Sequence, residues 1–217
     1  MNTNGAILWE GLHAVVIVTG LRRPSKNRKT GPMIQCWILP RWRHPAERGA
    51  DHHICGDCTH SSLADGDCYV EAGKAPSSIW RSYRAGNYPR AGTEVVAGKR
   101  VRLGAWGDPA VMPGRLVREL AEKSGAWTGY THQWRRATAA GLRGVLMASV
   151  ESQEQADAAQ AAGWRTFRVA PAGNSALRAD EIRCPAAAES GERTTCARCR
   201  LCAGRAKAAR NVVIQKH

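Results

Sequence analysis

The chain has 217 residues and a mass of 23.5 kDa, enough to bury a core without covalent staples, and its hydrophobic content of 43% excludes disorder throughout. With 32 Lys+Arg against 18 Asp+Glu the formal charge is +14, which points to anionic partners such as nucleic acid, nucleotides or other phosphates, or acidic lipid heads. The longest apolar run, Ala14 to Val18, falls far short of the roughly 20 residues of a membrane helix, and no charged-then-apolar leader precedes it, so no membrane partner and a cytoplasmic location are expected.

In chain order, apolar periodicity predicts strands over 13–19 and 33–39. They are joined by a basic hairpin loop in which Arg22, Arg23, Lys26, Arg28 and Lys29 form a candidate anion-binding set, the alternative being a solvated hairpin tip. A three-cysteine loop follows, then a helix over 77–85 that stops at Gly86-Asn87-Tyr88-Pro89. From there the pattern alternates: strand 99–105 and helix 114–123, strand 126–131 and helix 134–140, strand 143–149 and helix 152–162. Ser152 with Gln155 caps the last of these helices and Gly163 stops it. Strands over 164–169 and 181–184 close the series.

Strand starts roughly 17 to 25 residues apart, with continuously apolar strands such as Gly144-Val145-Leu146-Met147-Ala148, predict an α/β fold with a parallel sheet, either open or a (β/α) partial barrel. The expected organisation is a core over 1–183 and a cysteine-rich C-terminal metal segment with a basic tail over 184–217. In such folds the βα loops gather at the carboxyl ends of the strands, which brings 104–109, 130–134 and 149–151 together. The three-cysteine loop also follows a strand and should open on that face.

The cysteines carry the chemistry. Cys55, Cys58 and Cys68 form one set, Cys184, Cys196, Cys199 and Cys202 another, and Cys36 lies in an apolar run as core. A reducing compartment disfavours disulfides, so both sets read as metal ligands. Four thiolates make a closed site for zinc or for a [4Fe–4S] cluster, and the run Cys196, Cys199, Cys202 at two-residue intervals inclines the choice to iron. Three thiolates leave one position. Either His53 or His60 completes a zinc site, or the position stays open for an exogenous ligand.

A parallel βα chain whose first core strand runs into a three-cysteine loop, with Tyr69 beside Cys68 and a Gly107-Asp108-Pro109 turn after the next strand, resembles the radical S-adenosylmethionine enzymes. The spacing differs: Cys-x2-Cys-x9-Cys here against Cys-x3-Cys-x2-Cys in that family. The resemblance implies an open [4Fe–4S] cluster on Cys55, Cys58 and Cys68, with S-adenosylmethionine bound near Gly107, Asp108 and Pro109. It further implies an auxiliary cluster on the four C-terminal cysteines, a substrate pocket at His132, Gln133 and Ser149, and an external electron donor. The stretches Ser25–Gly31, Gly129–Trp134 and Gly163–Val169 also resemble a family encoded by actinobacterial phages, which brings no activity with it and would place the protein in the host-cell cytoplasm. Two functions follow as expectations: a radical-type iron–sulfur enzyme acting on a nucleic-acid or nucleotide-related substrate, or a non-enzymatic nucleic-acid-binding protein stabilised by iron–sulfur or zinc sites.

Overall fold

β-branched runs start the fold. The computed structural model describes residues 3–64, 66–173, 176–191 and 193–216. Strands β1 (Gly5–Glu10), β2 (Ala14–Thr19) and β3 (Ile34–Pro40) pair antiparallel in sequence order, with Val15 to Val18 fully buried between their neighbours. The three-cysteine loop then begins and contains the single-turn helix α1 (His52–Cys55). Helix α2 (Ala75–Arg84) leads on to β4 (Arg100–Trp106), which pairs parallel with β3.

Helix α3 (Gly114–Lys123) buries Val117, Leu120 and Ala121 on one face, the expected amphipathic stripe, and delivers the chain to β5 (Ala126–Thr128) beside β4. Gly129 alone separates β5 from β6 (Tyr130–Thr131), the first strand of a second sheet. A Cβ at Gly129 would lie 2.7 Å from Leu146 Cδ2 and 3.0 Å from Leu103 Cβ, so a larger residue here would have to displace these leucines where the chain passes between the two sheets.

The second sheet continues through β7 (Met147–Val150), helix α4 (Gln153–Ala161) and β8 (Thr166–Ala170). Ser152 Oγ accepts from the Gln155 backbone N–H at 3.1 Å, the cap expected for α4. Strand β9 (Glu181–Arg183) is followed by the cysteine-bearing turn α5 (Cys196–Cys199) and by β10 (Asn211–Gln215). The order is β6-β7-β8-β10-β9, parallel throughout. The four-cysteine segment is therefore an excursion between two neighbouring strands, and residues 211–215 belong to the sheet of the core. Arg168 of β8 reaches Glu181 of β9 past the intervening strand, donating from Nε at 2.8 Å and from Nη2 at 2.6 Å, with side chains 5% and 0% exposed.

The fold is thus α/β with two five-stranded sheets and no closed barrel, and the expected parallel arrangement holds from β3 onward. The β1–β2–β3 meander is antiparallel, and the basic loop over 20–33 is the hairpin connection expected between the first two predicted strands. The helix expected over 134–140 is a 3₁₀ turn, Ala137–Leu142, in which Ala139 N donates to Arg136 O. Among the described residues no helix is long and apolar enough to cross a membrane.

Candidate metal centres

Three elements hold the first cysteine loop from the carboxyl ends of the strands. Ile54 is fully buried, and the Asp108 N–H donates to its carbonyl at 2.7 Å. Gln133 Nε2 donates to the Cys55 carbonyl at 2.7 Å while its Oε1 accepts from the Asp57 N–H at 3.2 Å. Gly56, at φ 55°, makes this contact possible, because a Cβ there would sit 2.5 Å from Gln133 Oε1. The buried Asp51 closes the loop on itself, accepting from the Ser62 N–H at 2.7 Å and from the Ser62 hydroxyl. Within this frame burial pushes the pKa of all three thiols, Cys55, Cys58 and Cys68, above the ordinary value, Cys58 to about 12, and Cys68 adds to the rise at both Cys55 and Cys58. Such thiols stay protonated unless a cation replaces the proton.

The second set is held differently. Cys184 lies in an apolar cluster with Met147, Phe167, Val212 and Ile214, against which Cys196 and Cys202 pack. The Cys196 and Ala197 N–H groups donate to the Lys29 and Thr30 carbonyls at 2.9 and 3.0 Å, so the basic loop docks on α5. Arg165 Nη1 donates to the Leu201 and Gly204 carbonyls, both at 2.8 Å, and Cys202 O accepts from the Gly129 N–H at 2.8 Å. Burial, then Cys184, Cys196 and Cys199 in turn, pushes the Cys202 thiol well above its ordinary value, which places the four sulfurs in one electrostatic neighbourhood. All eight cysteines are free thiols, and Cys36 is buried in β3 as expected of a core residue. Among the described residues no three sulfurs lie mutually within 4.8 Å.

One cavity of about 380 Å³ is lined by cysteines of both sets: Cys58 and Cys68 of the first, Cys184, Cys196 and Cys202 of the second. Tyr69, adjacent to Cys68, meets Tyr130 hydroxyl to hydroxyl at 2.9 Å and also receives the Arg102 guanidinium. The Tyr130 ring stacks on Phe167 with centroids 4.6 Å apart, inside the apolar cluster that holds Cys184.

The other expected residues divide. His132 and Ser149 line the cavity, as does Lys29. Gln133 is buried and does not line it; its amide is used on the cysteine loop. Gly107, Asp108 and Pro109 also lie outside the lining. Gly107 packs against the Ile38 carbonyl, and the buried Asp108 carboxylate accepts from the Thr131 hydroxyl and the His132 N–H, both at 2.7 Å, and from the Ala110 N–H at 2.9 Å. Arg22, Arg23, Lys26 and Arg28 are exposed, and Asn4 Oδ1 accepts from the Arg22 and Arg23 N–H groups, fixing the start of the basic loop. His53 stacks on His13 with centroids 4.3 Å apart.

His60 lies between two carboxylates, Asp67 at 2.5 Å from Nδ1 and Glu151 at 3.1 Å from Nε2. Glu151, then Asp67, hold its imidazole above the ordinary range against the opposing effect of burial. The hydrogen bond from His60, then that from the Thr59 hydroxyl, brings Glu151 down to about 2. Arg102, Tyr130 and Arg165 were not singled out in the sequence; Tyr130 stood in a loop placed on the correct face, whereas the arginines carry no local signal. Comparison with protein-family models, curated proteins and solved structures finds no match to the chain.

Proposed function

We propose that the chain is an iron–sulfur enzyme of the radical S-adenosylmethionine type, acting on a nucleic-acid or nucleotide-related substrate. The observation that carries this reading is a cavity lined by cysteines of both sets. Cys55, Cys58 and Cys68 would hold a [4Fe–4S] cluster with one open iron, and Cys184, Cys196, Cys199 and Cys202 a closed one. The donors fit. They are soft thiols in sets of three and four, the donor type that iron–sulfur clusters take, and zinc is the alternative. When bound and reduced by an external electron donor, the open cluster supplies one-electron cleavage of S-adenosylmethionine, the source of the radical that takes hydrogen from substrate.

The protein's own residues bind, orient and exclude water. Gln133 and the Asp108 N–H fix the cysteine loop against the strand ends. Asp108 orients His132 through its backbone, and His132 and Ser149 face the substrate. Lys29 and Arg102 line the cavity and favour an anionic substrate, with the exposed Arg22, Arg23, Lys26 and Arg28 on the adjoining loop extending the positive surface. The meeting of the two sheets at Gly129 supports a partial barrel, and eight free thiols suit a reducing cytoplasm, the host's under the phage resemblance.

Anaerobic reconstitution followed by iron, sulfide and zinc analysis tests this. About eight irons per chain are expected for two cubane clusters, with 5′-deoxyadenosine formed from S-adenosylmethionine under reduction. Two zincs without sulfide would replace the enzyme by a metal-stabilised nucleic-acid-binding protein.

A further inference from the structure

One set of donors converges without any sulfur. His60 comes from the three-cysteine loop, His132 from the turn after β6 and Glu151 from the turn after β7, and one ligand atom of each lies within 4.8 Å of the other two. The His60 and His132 rings meet edge to face with centroids 5.8 Å apart. Each ring has a carboxylate beside Nδ1: Asp67 at 2.5 Å for His60 and Asp108 at 3.9 Å for His132. His60 thus has the arrangement usual for metal-ligating histidines, in which the second nitrogen is hydrogen-bonded to a carboxylate that fixes the tautomer and raises ligand basicity; the Asp108 oxygen is too far from the His132 ring for that bond and holds His132 through its backbone N–H instead. Glu151 is steadied in turn by the Thr59 hydroxyl at 2.7 Å. Both histidines line the cavity, which leaves space beside them for further ligands.

We propose that His60, His132 and Glu151 form a mononuclear site for a divalent first-row transition ion, with its remaining coordination positions open to the cavity. Two imidazoles and one carboxylate on one side of an ion form the donor set that suits iron(II), cobalt(II) or zinc and leaves room for exogenous ligands. The site draws on none of the cysteines and stands whether or not they carry clusters. Its ion would act on the same substrate space, as a Lewis acid toward a phosphoryl or carbonyl oxygen or as the holder of a water molecule. The competing role for these residues is a strut, in which His60 joins the cysteine loop to Asp67 and Glu151 and binds no metal.

The test is a cobalt(II) titration of the full chain after anaerobic loading of its cysteine sites, read as the visible absorption difference between wild type and variants. One equivalent is expected to give ligand-field bands of nitrogen and oxygen coordination, without thiolate charge transfer. Glu151→Gln and His132→Ala should each weaken that binding at least about tenfold, and Asp67→Asn by about 10- to 100-fold, at unchanged iron content and circular dichroism. Glu151→Asp, which keeps a carboxylate, should recover part of the affinity. Absence of those bands in the wild type, or equal cobalt affinity in Glu151→Gln and wild type, would overturn the site and leave the strut. Cobalt binding without iron uptake would keep the site and remove only the cluster reading.

Discussion

The two cysteine segments reach one cavity by different routes. The first is a long loop held from outside by polar groups on strand ends, chiefly Gln133 and the Asp108 N–H. The second is set into the sheet, between β9 and β10, with its sulfurs against apolar side chains and its carbonyls gathered by Arg165. Removal of a polar tie should therefore loosen the first segment alone, whereas damage to the second should cost the whole sheet.

The largest effect is expected from Arg168→Met, which leaves Glu181 charged and buried without its partner: about 3–5 kcal/mol of stability by urea unfolding, with both metal sites lost together as the sheet fails. Arg165→Ala removes a charged donor from carbonyls on both sides of Cys202 and should cost about 2–4 kcal/mol, with iron lost first from the C-terminal site. Gln133→Ala removes the shorter of two donors from the Cys55 carbonyl, which keeps only the Cys58 N–H at 3.3 Å, and takes the acceptor from the Asp57 N–H, for about 1–2 kcal/mol, and iron analysis should show the three-cysteine site emptied while the other stays filled. If Gln133→Ala depletes both sites equally, the two segments fold as one unit and the contrast fails. The smallest effect belongs to Arg136→Ala, whose partner Asp57 is largely exposed; under about 1 kcal/mol is expected, with no change in iron content.

Much of this was legible in the sequence because it is encoded locally. The helix over 114–123 and the Ser152 cap follow from periodicity and capping. The rule that βα loops share a face placed His132 and Glu151 beside the three-cysteine loop, and the 3.1 Å contact of His60 with Glu151 agrees. What was not legible is long-range. Val212, Val213 and Ile214 make a short β-branched run after a basic stretch, and nothing nearby says that it inserts between two earlier strands. β1 was passed over because a bulge between Ile7 and Trp9 breaks its alternation. Asp108 stood in a turn that suggested cofactor contact, yet burial and three hydrogen bonds commit its oxygens to the protein, a fact that depends on Thr131 more than twenty positions away.

The insertion of β10 also sets an order on folding. During synthesis β9 emerges before the strand that must lie between it and β8, so it has no sheet partner while the intervening residues are being made. Until that gap fills, the open edges of β8 and β9 can pair with other chains. The delay spans the residues that carry Cys196, Cys199 and Cys202, so ion capture there and closure of the gap are expected to help one another. If the proposed iron–sulfur reading holds, starving cells of iron during expression should therefore raise the aggregated fraction of this protein before it alters any property of the molecules that stay in solution.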